Sequence, residues 1–251
     1  MDFGGKIAVI TGGAQGIGLA AAEAFSALNA EVVIADVNKD KLDSLAAPLA
    51  ATSVLCDVCS EQDIATLYSA ASARGPVELV MANAGVAIGG RFEVIPVTEW
   101  QRLFDVNVMG AVRTINAFLP AMIERKRGTI IITGSSAGLF NNNGMNAPYA
   151  SSKYALQGMA KALAVYCRQY GIHVHYLAPR MTDTAFPRSS VAWGHKGSRV
   201  TSDVDIGSDF DTAPAVIAAL LEGIEKNAFL ISLTDNTEQQ LASFAHSQSP
   251  F

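Results

Sequence analysis

Residues 7–18 read Ile7-Ala8-Val9-Ile10-Thr11-Gly12-Gly13-Ala14-Gln15-Gly16-Ile17-Gly18, and Leu19 opens an Ala-rich segment behind them. A short apolar run that ends in a glycine string and passes into a helical pattern reads as a buried strand, a tight turn and a helix start. Glycines at such a turn let backbone amides approach a pyrophosphate. The helix start adds unpaired N–H groups and the positive end of its dipole. Gly12, Gly16 and Gly18, with Gln15 and Ile17 between them, are therefore candidate phosphate-binding residues.

The same alternation continues along the chain. Ile7–Thr11, Val32–Asp36, Ser53–Asp57, Leu79–Asn83, Thr129–Thr133 and Ile172–Ala178 read as strands, and Phe229–Leu233 as a seventh after the helical segment 213–227. They are continuous apolar runs, as in strands buried on both faces. The expected fold is α/β: a doubly wound, mostly parallel Rossmann-type sheet of about seven strands with helices on both faces. Ser60-Glu61-Gln62-Asp63 and Thr98-Glu99-Trp100-Gln101 look like capping boxes, and Asn29 suits a left-handed helix end. From Trp100 the apolar stripe Leu103, Phe104, Val108, Ala111, Ile115, Phe118, Leu119, Met122 predicts one long amphipathic helix. Residues 1–251 are expected to form a single domain, with a substrate loop over about 180–211 where apolar periodicity lapses.

Half of the 251 residues are hydrophobic and 16% are charged, enough for a large buried core, and the net charge is −5. That balance gives no electrostatic reason to expect nucleic acid or an anionic membrane as partner. Arg125-Lys126-Arg127 is short and reads as a cationic helix C-terminus. Three cysteines make no full disulfide set, and the expected setting is a reducing cytoplasm. Cys56 and Cys59 have CxxC spacing without a second pair, and His173 and His175 share a strand face without a third ligand, so no metal is expected. A strand beginning by Lys6 leaves no room for a signal peptide, and no apolar run approaches the ~20 residues of a membrane span.

Two further places carry chemistry. Asp36 ends the second predicted strand, eighteen residues after Gly18, where a carboxylate accepts hydrogen bonds from ribose hydroxyls and repels a 2′-phosphate. With Val37 beside it and Gln15 in the turn, no flanking cation offsets it, and the expected cofactor is NAD. Tyr149-Ala150-Ser151-Ser152-Lys153 opens a helix, and its i to i+4 spacing puts phenol and ammonium on one face. A neighbouring ammonium favours phenolate, so the sequence predicts a lowered pKa for Tyr149. Ser135 and Ser136 follow a buried strand at its C-terminal end, where α/β folds build sites.

Taken together, these residues resemble the short-chain dehydrogenase/reductase family over roughly residues 5–185. Thr11–Gly18 is similar to its TGxxxGIG turn, Ala82-Asn83-Ala84-Gly85 to its NNAG motif with Ala for the first Asn, and Tyr149 and Lys153 to its YxxxK. The resemblance implies that Asp57 and Val58 contact adenine and that Asn83 and Gly85 line the cofactor cleft. It implies Tyr149 as acid/base, Lys153 as the group that holds the nicotinamide ribose, Ser135 as the residue orienting the substrate oxygen, and Asn107 as the holder of a relay water. It also implies a small secondary alcohol or ketone as substrate and a homo-oligomer, dimer or tetramer.

Three departures qualify it. The family spaces its serine thirteen residues before the tyrosine, which lands on Ser136. Alignment from the strand and Gly138 favours Ser135, with one extra residue in Asn141-Asn142-Asn143-Gly144. Pro179-Arg180-Met181-Thr182-Asp183-Thr184 resembles PGxVxT with Arg for Gly, and leaves Thr184, with Thr182, to bind the carboxamide. Thr234–Phe251 replaces the usual Gly-rich tail, which carries tetramer contacts. Val86, Ile88, Phe140, Phe186, Val191 and Trp193 suggest an apolar, cyclic substrate. The competing reading is a non-catalytic NAD-binding sensor or scaffold, since fold alone does not fix function.

Overall fold

A computed structural model of the protein describes residues 3–141, 143–184, 186, 191–193, 199–201 and 210–233. In chain order come β1 (Ile7–Thr11), α1 (Gly16–Ala27), β2 (Glu31–Asp36), α2 (Lys39–Leu49), β3 (Thr52–Leu55), α3 (Glu61–Ser72), β4 (Val77–Ala82) and β5 (Ile88–Gly90). Then follow α4 (Val97–Phe104), a π-helical stretch Asp105–Met109, α5 (Gly110–Arg125), β6 (Gly128–Thr133), α6 (Ala147–Arg168) and β7 (Ile172–Leu177). The last third holds β8 (Thr182–Asp183), β9 (Val191–Trp193), β10 (Arg199–Thr201), β11 (Asp211–Thr212), α7 (Ala213–Glu225) and β12 (Leu230–Ile231).

Seven strands form one sheet in the order β12-β7-β6-β4-β1-β2-β3, every neighbouring pair parallel. Alternate side chains leave opposite faces of a strand, and both faces are apolar here. Val9, Val33, Val80, Ile130 and Ile132 meet Leu67 of α3, Phe118 and Met122 of α5 and Leu156 of α6. Ala8, Ile10, Ile34, Leu79 and Met81 meet Phe25 of α1, Leu42 of α2 and Leu220 of α7. This is the doubly wound arrangement that continuous apolar strands require. The order reverses between β4 and β1, so their C-terminal ends open a crevice there.

Local signals fared unevenly. Ser60 caps α3 by accepting the Asp63 N–H at 3.2 Å, and Asn29 is left-handed (φ 64°) just past the end of α1. The second expected capping box is absent: α4 starts at Val97 behind Pro96, which leaves Thr98 inside the helix. The helix expected to run unbroken from Trp100 is interrupted at Asp105–Met109, where an extra residue per turn is accommodated without losing the apolar face. Val97–Arg125 is also long and apolar enough to span a bilayer, with hydropathy 1.3, a correction to the sequence reading. Its Phe118 and Met122 are fully committed to the sheet, as in a core helix.

The expected irregular segment 180–211 contains β8, β9 and β10, with β11 completing a parallel pair with β8. β9 joins β5 and β10 in a small second sheet beside the crevice. The rest of that segment, 185, 187–190, 194–198 and 202–209, lies outside the described residues, as does the tail Thr234–Phe251. Both strand histidines bond the turn before β12. His173 Nδ1 meets Asn227 Oδ1 at 2.7 Å, and His175 Nδ1 meets the Ala228 carbonyl at 2.6 Å.

Phe118 is 2% exposed and its ring lies 5.4 Å from that of Tyr68. Phe118→Ala is expected to cost about 3–5 kcal/mol, because the sheet beneath cannot collapse into the gap. Thermal unfolding should then move down by about 6–20 °C. A shift within a degree or two would show that α5 is not anchored at this point.

Candidate active site

The crevice is closed at its base by a clasp between β1 and β4. Thr11 Oγ1 accepts the N–H groups of Asn83 (3.1 Å) and Ala84 (3.3 Å), and the Asn83 side-chain amide donates to the Thr11 and Gly12 carbonyls at 3.0 and 3.2 Å. The glycine turn packs onto this clasp with no space for side chains. A Cβ on Gly18 would lie 2.2 Å from the Gly12 carbonyl oxygen, and one on Gly12 (φ +65°) 2.9 Å from Ala84 Cα. Gln15 precedes α1 without making a side-chain cap. Amides at that helix start are therefore free for an anion, and these residues fit a dinucleotide pyrophosphate. Thr184 lies against the turn, 3.2 Å from where a Gly16 Cβ would be.

At the adenosine end Asp36 is fixed by two backbone donors, Ala14 N–H at 3.2 Å and Asn38 N–H at 3.0 Å. The structure adds a cation that the sequence reading missed. The Lys41 ammonium donates to the Gln15 side-chain oxygen, on the glycine turn itself. The available signal was Asn38, whose Oδ1 accepts the Lys41 N–H at 3.0 Å and so sets Lys41 in the first turn of α2, facing back. Asp57 accepts the Cys59 N–H at 2.9 Å in the exposed turn after β3, while Val58 is buried against Gly110.

The chemical groups gather where β6 meets α6. The Ser135 side chain lies beside Tyr149, close enough to act on the phenol's pKa. Ser135 Oγ also accepts the Ala137 N–H at 3.2 Å, opening a 3-10 turn over Ser136–Gly138. Lys153 is 3% exposed and donates to the Thr133 carbonyl at 2.9 Å, with its ammonium 5.5 Å from the centre of the Tyr149 ring. Asn107 is 1% exposed: its Oδ1 accepts the Val86 N–H at 2.8 Å, and its Nδ2 donates to the Val86 carbonyl (3.0 Å) and to Ser152 Oγ (3.1 Å). That side chain is satisfied by protein alone. Gly85 keeps the space between Asn107 and Lys153 open, since a Cβ there would lie 3.3 Å from Asn107 Oδ1 and 3.8 Å from the Lys153 ammonium.

Tyr149 packs against an apolar cluster of Ile88, Ile95 and Leu103, as do Val86, Trp100, Val191 and Trp193, and the Phe186 ring is 6.1 Å from the phenol ring. Phe140 instead packs with the main core. Thr182 is buried and donates to the Arg180 carbonyl at 3.1 Å, and Arg180 itself pairs with Asp211 at 3.3 Å.

The expected lowering of the Tyr149 pKa is not what this environment produces. Burial pushes the phenol up to about 12 against the opposing effect of the Ser135 side chain, and it pushes Lys153 down to about 8. Desolvation penalises each charged form, and the ammonium is turned toward Thr133. As pH rises, Lys153 loses its proton before Tyr149 does.

A parallel sheet with a glycine-lined crevice at its switch point, and a hydroxyl, phenol and ammonium at the crevice edge, is the architecture of a nicotinamide-coenzyme oxidoreductase. The comparisons agree. A family profile described as short chain dehydrogenase matches residues 6–194. Short chain aldehyde dehydrogenase 1 of Euphorbia lathyris is 34% identical over 232 residues, 89% of this chain and 74% of that protein. The mitochondrial borneol dehydrogenase of Lavandula x intermedia is 33% identical over 187 residues, 73% of this chain and 72% of that protein. A short chain dehydrogenase/reductase from Burkholderia phymatum, solved in complex with NAD, superposes with a TM-score of 0.87 at 25% identity, covering 100% of this chain and 98% of that one. The chain belongs to the short-chain dehydrogenase/reductase family.

The titration order is open to direct measurement. In the cofactor-free protein, the ultraviolet difference between wild type and Tyr149→Phe should show no phenolate between pH 6 and about pH 10. A phenolate signal with its midpoint near neutrality would mean that the ammonium, and not burial, governs the phenol.

Proposed function

We propose that this protein is an NAD-dependent dehydrogenase or reductase of secondary alcohols and ketones, with an apolar cyclic substrate. The gathering of Ser135, Tyr149 and the Lys153 ammonium, 5.5 Å from the phenol ring, at the edge of the glycine-lined crevice carries this reading. When bound, the nicotinamide ring accepts or delivers the hydride. In the oxidising direction Tyr149 takes the hydroxyl proton of the substrate while Ser135 hydrogen-bonds the same oxygen as it becomes a carbonyl. The Lys153 charge favours the transient phenolate, and Thr133 holds that charge in place. Reduction runs the same proton path backwards, from phenol to nascent alkoxide.

The apolar wall of Val86, Ile88, Val191, Trp193 and Phe186 supports a hydrocarbon ring beside the reacting carbon. The likeness to a borneol dehydrogenase is in keeping with such a cyclic alcohol. For the coenzyme, Asp36 at the end of β2 favours NAD, and Lys41 on the glycine turn softens its repulsion of a 2′-phosphate.

A panel of cyclic secondary alcohols with NAD, followed by absorbance of the reduced nicotinamide, tests the reaction. Tyr149→Phe should abolish turnover with coenzyme affinity nearly unchanged. Ser135→Ala should lose at least a hundredfold in kcat, about 2.7 kcal/mol, and Ser136→Ala no more than about tenfold. Oxidation should climb with pH up to about 8 and then level off, since phenolate is the base and the Lys153 charge that favours it is lost near there. Tight NAD binding with no turnover across the panel would favour the sensor reading, and an active Tyr149→Phe would overturn the mechanism.

Coenzyme choice has its own test. Asp36→Ala with Val37→Arg should raise the NADP/NAD ratio of kcat/KM at least tenfold, about 1.4 kcal/mol. Lys41→Ala should lower that ratio in the wild-type background. A ratio unmoved by either change would place the ribose-reading residue elsewhere.

A further inference from the structure

Tyr176 of β7 is 0% exposed and takes no part in the proton path described above. Its hydroxyl donates to the Lys153 backbone carbonyl at 3.1 Å and lies against Gly134 and Gly138, the glycines on either side of the Ser135 turn. The phenol thus packs against the serine-bearing turn on one side and hydrogen-bonds the main chain of the helix that carries Tyr149 and Lys153 on the other.

Space for this ring is made by glycine. A Cβ on Gly134 would lie 2.1 Å from Tyr176 Cζ and 2.2 Å from its hydroxyl oxygen. A Cβ on Gly138 would lie 2.6 Å from that hydroxyl and 2.6 Å from the Lys153 carbonyl oxygen. Neither glycine is among the positive-φ residues, so the backbone does not demand glycine at either position. The tyrosine does.

A link of this kind answers a specific mechanical need. In sequence, Ser135 and Tyr149 are joined by a segment that passes through Asn143, Gly144 and Met145, all exposed. Its Met145 carbonyl accepts the Gly90 N–H at 2.6 Å, which ties the loop to β5 and the small second sheet and not to the serine turn itself. β7 lies beside β6 in the sheet, and the Gly134 N–H donates to the Leu177 carbonyl at 2.7 Å. A rigid ring projecting from β7 therefore measures the gap between turn and helix from a fixed base.

We propose that Tyr176 is a positioning residue, whose hydroxyl sets the Ser135 turn against the Tyr149–Lys153 helix, with Gly134 as the residue that admits its ring. This rests on the reading of Ser135, Tyr149 and Lys153 as the reacting groups. Removing the hydroxyl leaves the ring and the core packing in place but frees the turn to shift, and misplacing reacting groups by about 1 Å costs on the order of a hundredfold.

Tyr176→Phe is the test, measured beside Tyr149→Phe. Expected for Tyr176→Phe is a fall in kcat of at least about tenfold, with substrate KM and NAD affinity by calorimetry within about threefold and thermal unfolding nearly unchanged. The pH profile for oxidation should also move upward, because the Ser135 side chain that draws the Tyr149 pKa down is loosened from its place. A merely structural role would lower the unfolding temperature and leave both kcat and the profile alone. If Tyr149→Phe is dead while Tyr176→Phe keeps wild-type kcat and profile, only the positioning role is overturned. If Tyr149→Phe stays active, the reading of the site is overturned and this role falls with it.

Discussion

The close contact between the glycine turn and the start of the Asn83–Gly85 segment is the constraint on which the rest of the structure depends. β1 and β4 are neighbours whose connections depart to opposite faces of the sheet, so nothing but their own termini can close the base of the crevice. Thr11 and Asn83 do this reciprocally, each side chain satisfying backbone groups of the other strand's extension. Because the clasp is made at backbone distance, Gly18 cannot carry a Cβ, and Gly12 must also accept a left-handed conformation. With those amides fixed, the N-terminus of α1 faces the crevice, and Asp36 is drawn to the same turn through Ala14. Cofactor geometry thus follows from a strand-to-strand contact.

Features set by short spacing were legible in the sequence. The strand–glycine–helix passage, the carboxylate at the end of β2 and the i to i+4 pair Tyr149 and Lys153 each rest on one element and its immediate neighbours. Strand positions came within a few residues, because continuous apolar runs have sharp edges. The π-helical break at Asp105–Met109 was not legible, since one extra residue leaves the apolar face nearly intact over so few turns. Nor were β8–β11, which are two or three residues long and owe their pairing to distant partners. Lys41 escaped for a similar reason: its distance from Asp36 in sequence says little until Asn38 fixes where α2 begins.

The electrostatics of the site were hidden for a different reason. Spacing shows that a phenol and an ammonium share a helical face, but not how much water reaches them. Burial acts on the two groups in opposite directions, raising the phenol and lowering the ammonium, and so draws both toward their neutral forms. The Thr133 carbonyl offsets part of the cost to Lys153 by accepting its proton in a hydrogen bond. Lys153 therefore stays close enough to neutrality for a change in local charge to shift it, and Tyr149 holds its proton firmly unless such a charge arrives. Ser135 is the one neighbour seen to draw the phenol the other way.

Asn107 shows how the fold carries precision into this site from outside it. The π turn places its side chain between the Val86 segment and α6. On one side it holds both backbone groups of Val86, which continues the clasp segment. On the other it donates to Ser152, whose hydroxyl in turn donates to the Tyr149 carbonyl at 2.7 Å. A continuous path of hydrogen bonds then runs from the base of the crevice through Val86, Asn107 and Ser152 to the backbone of the acid/base residue. Tyr176 reaches the same helix from the opposite side, one turn further on at Lys153. A helix held at two successive turns from two sides can neither slide nor rotate independently of the sheet. The distance between the glycine turn and the phenol is accordingly a property of the scaffold, and the loop before α6 adds a further tie where the Met145 carbonyl accepts the Gly90 N–H at 2.6 Å.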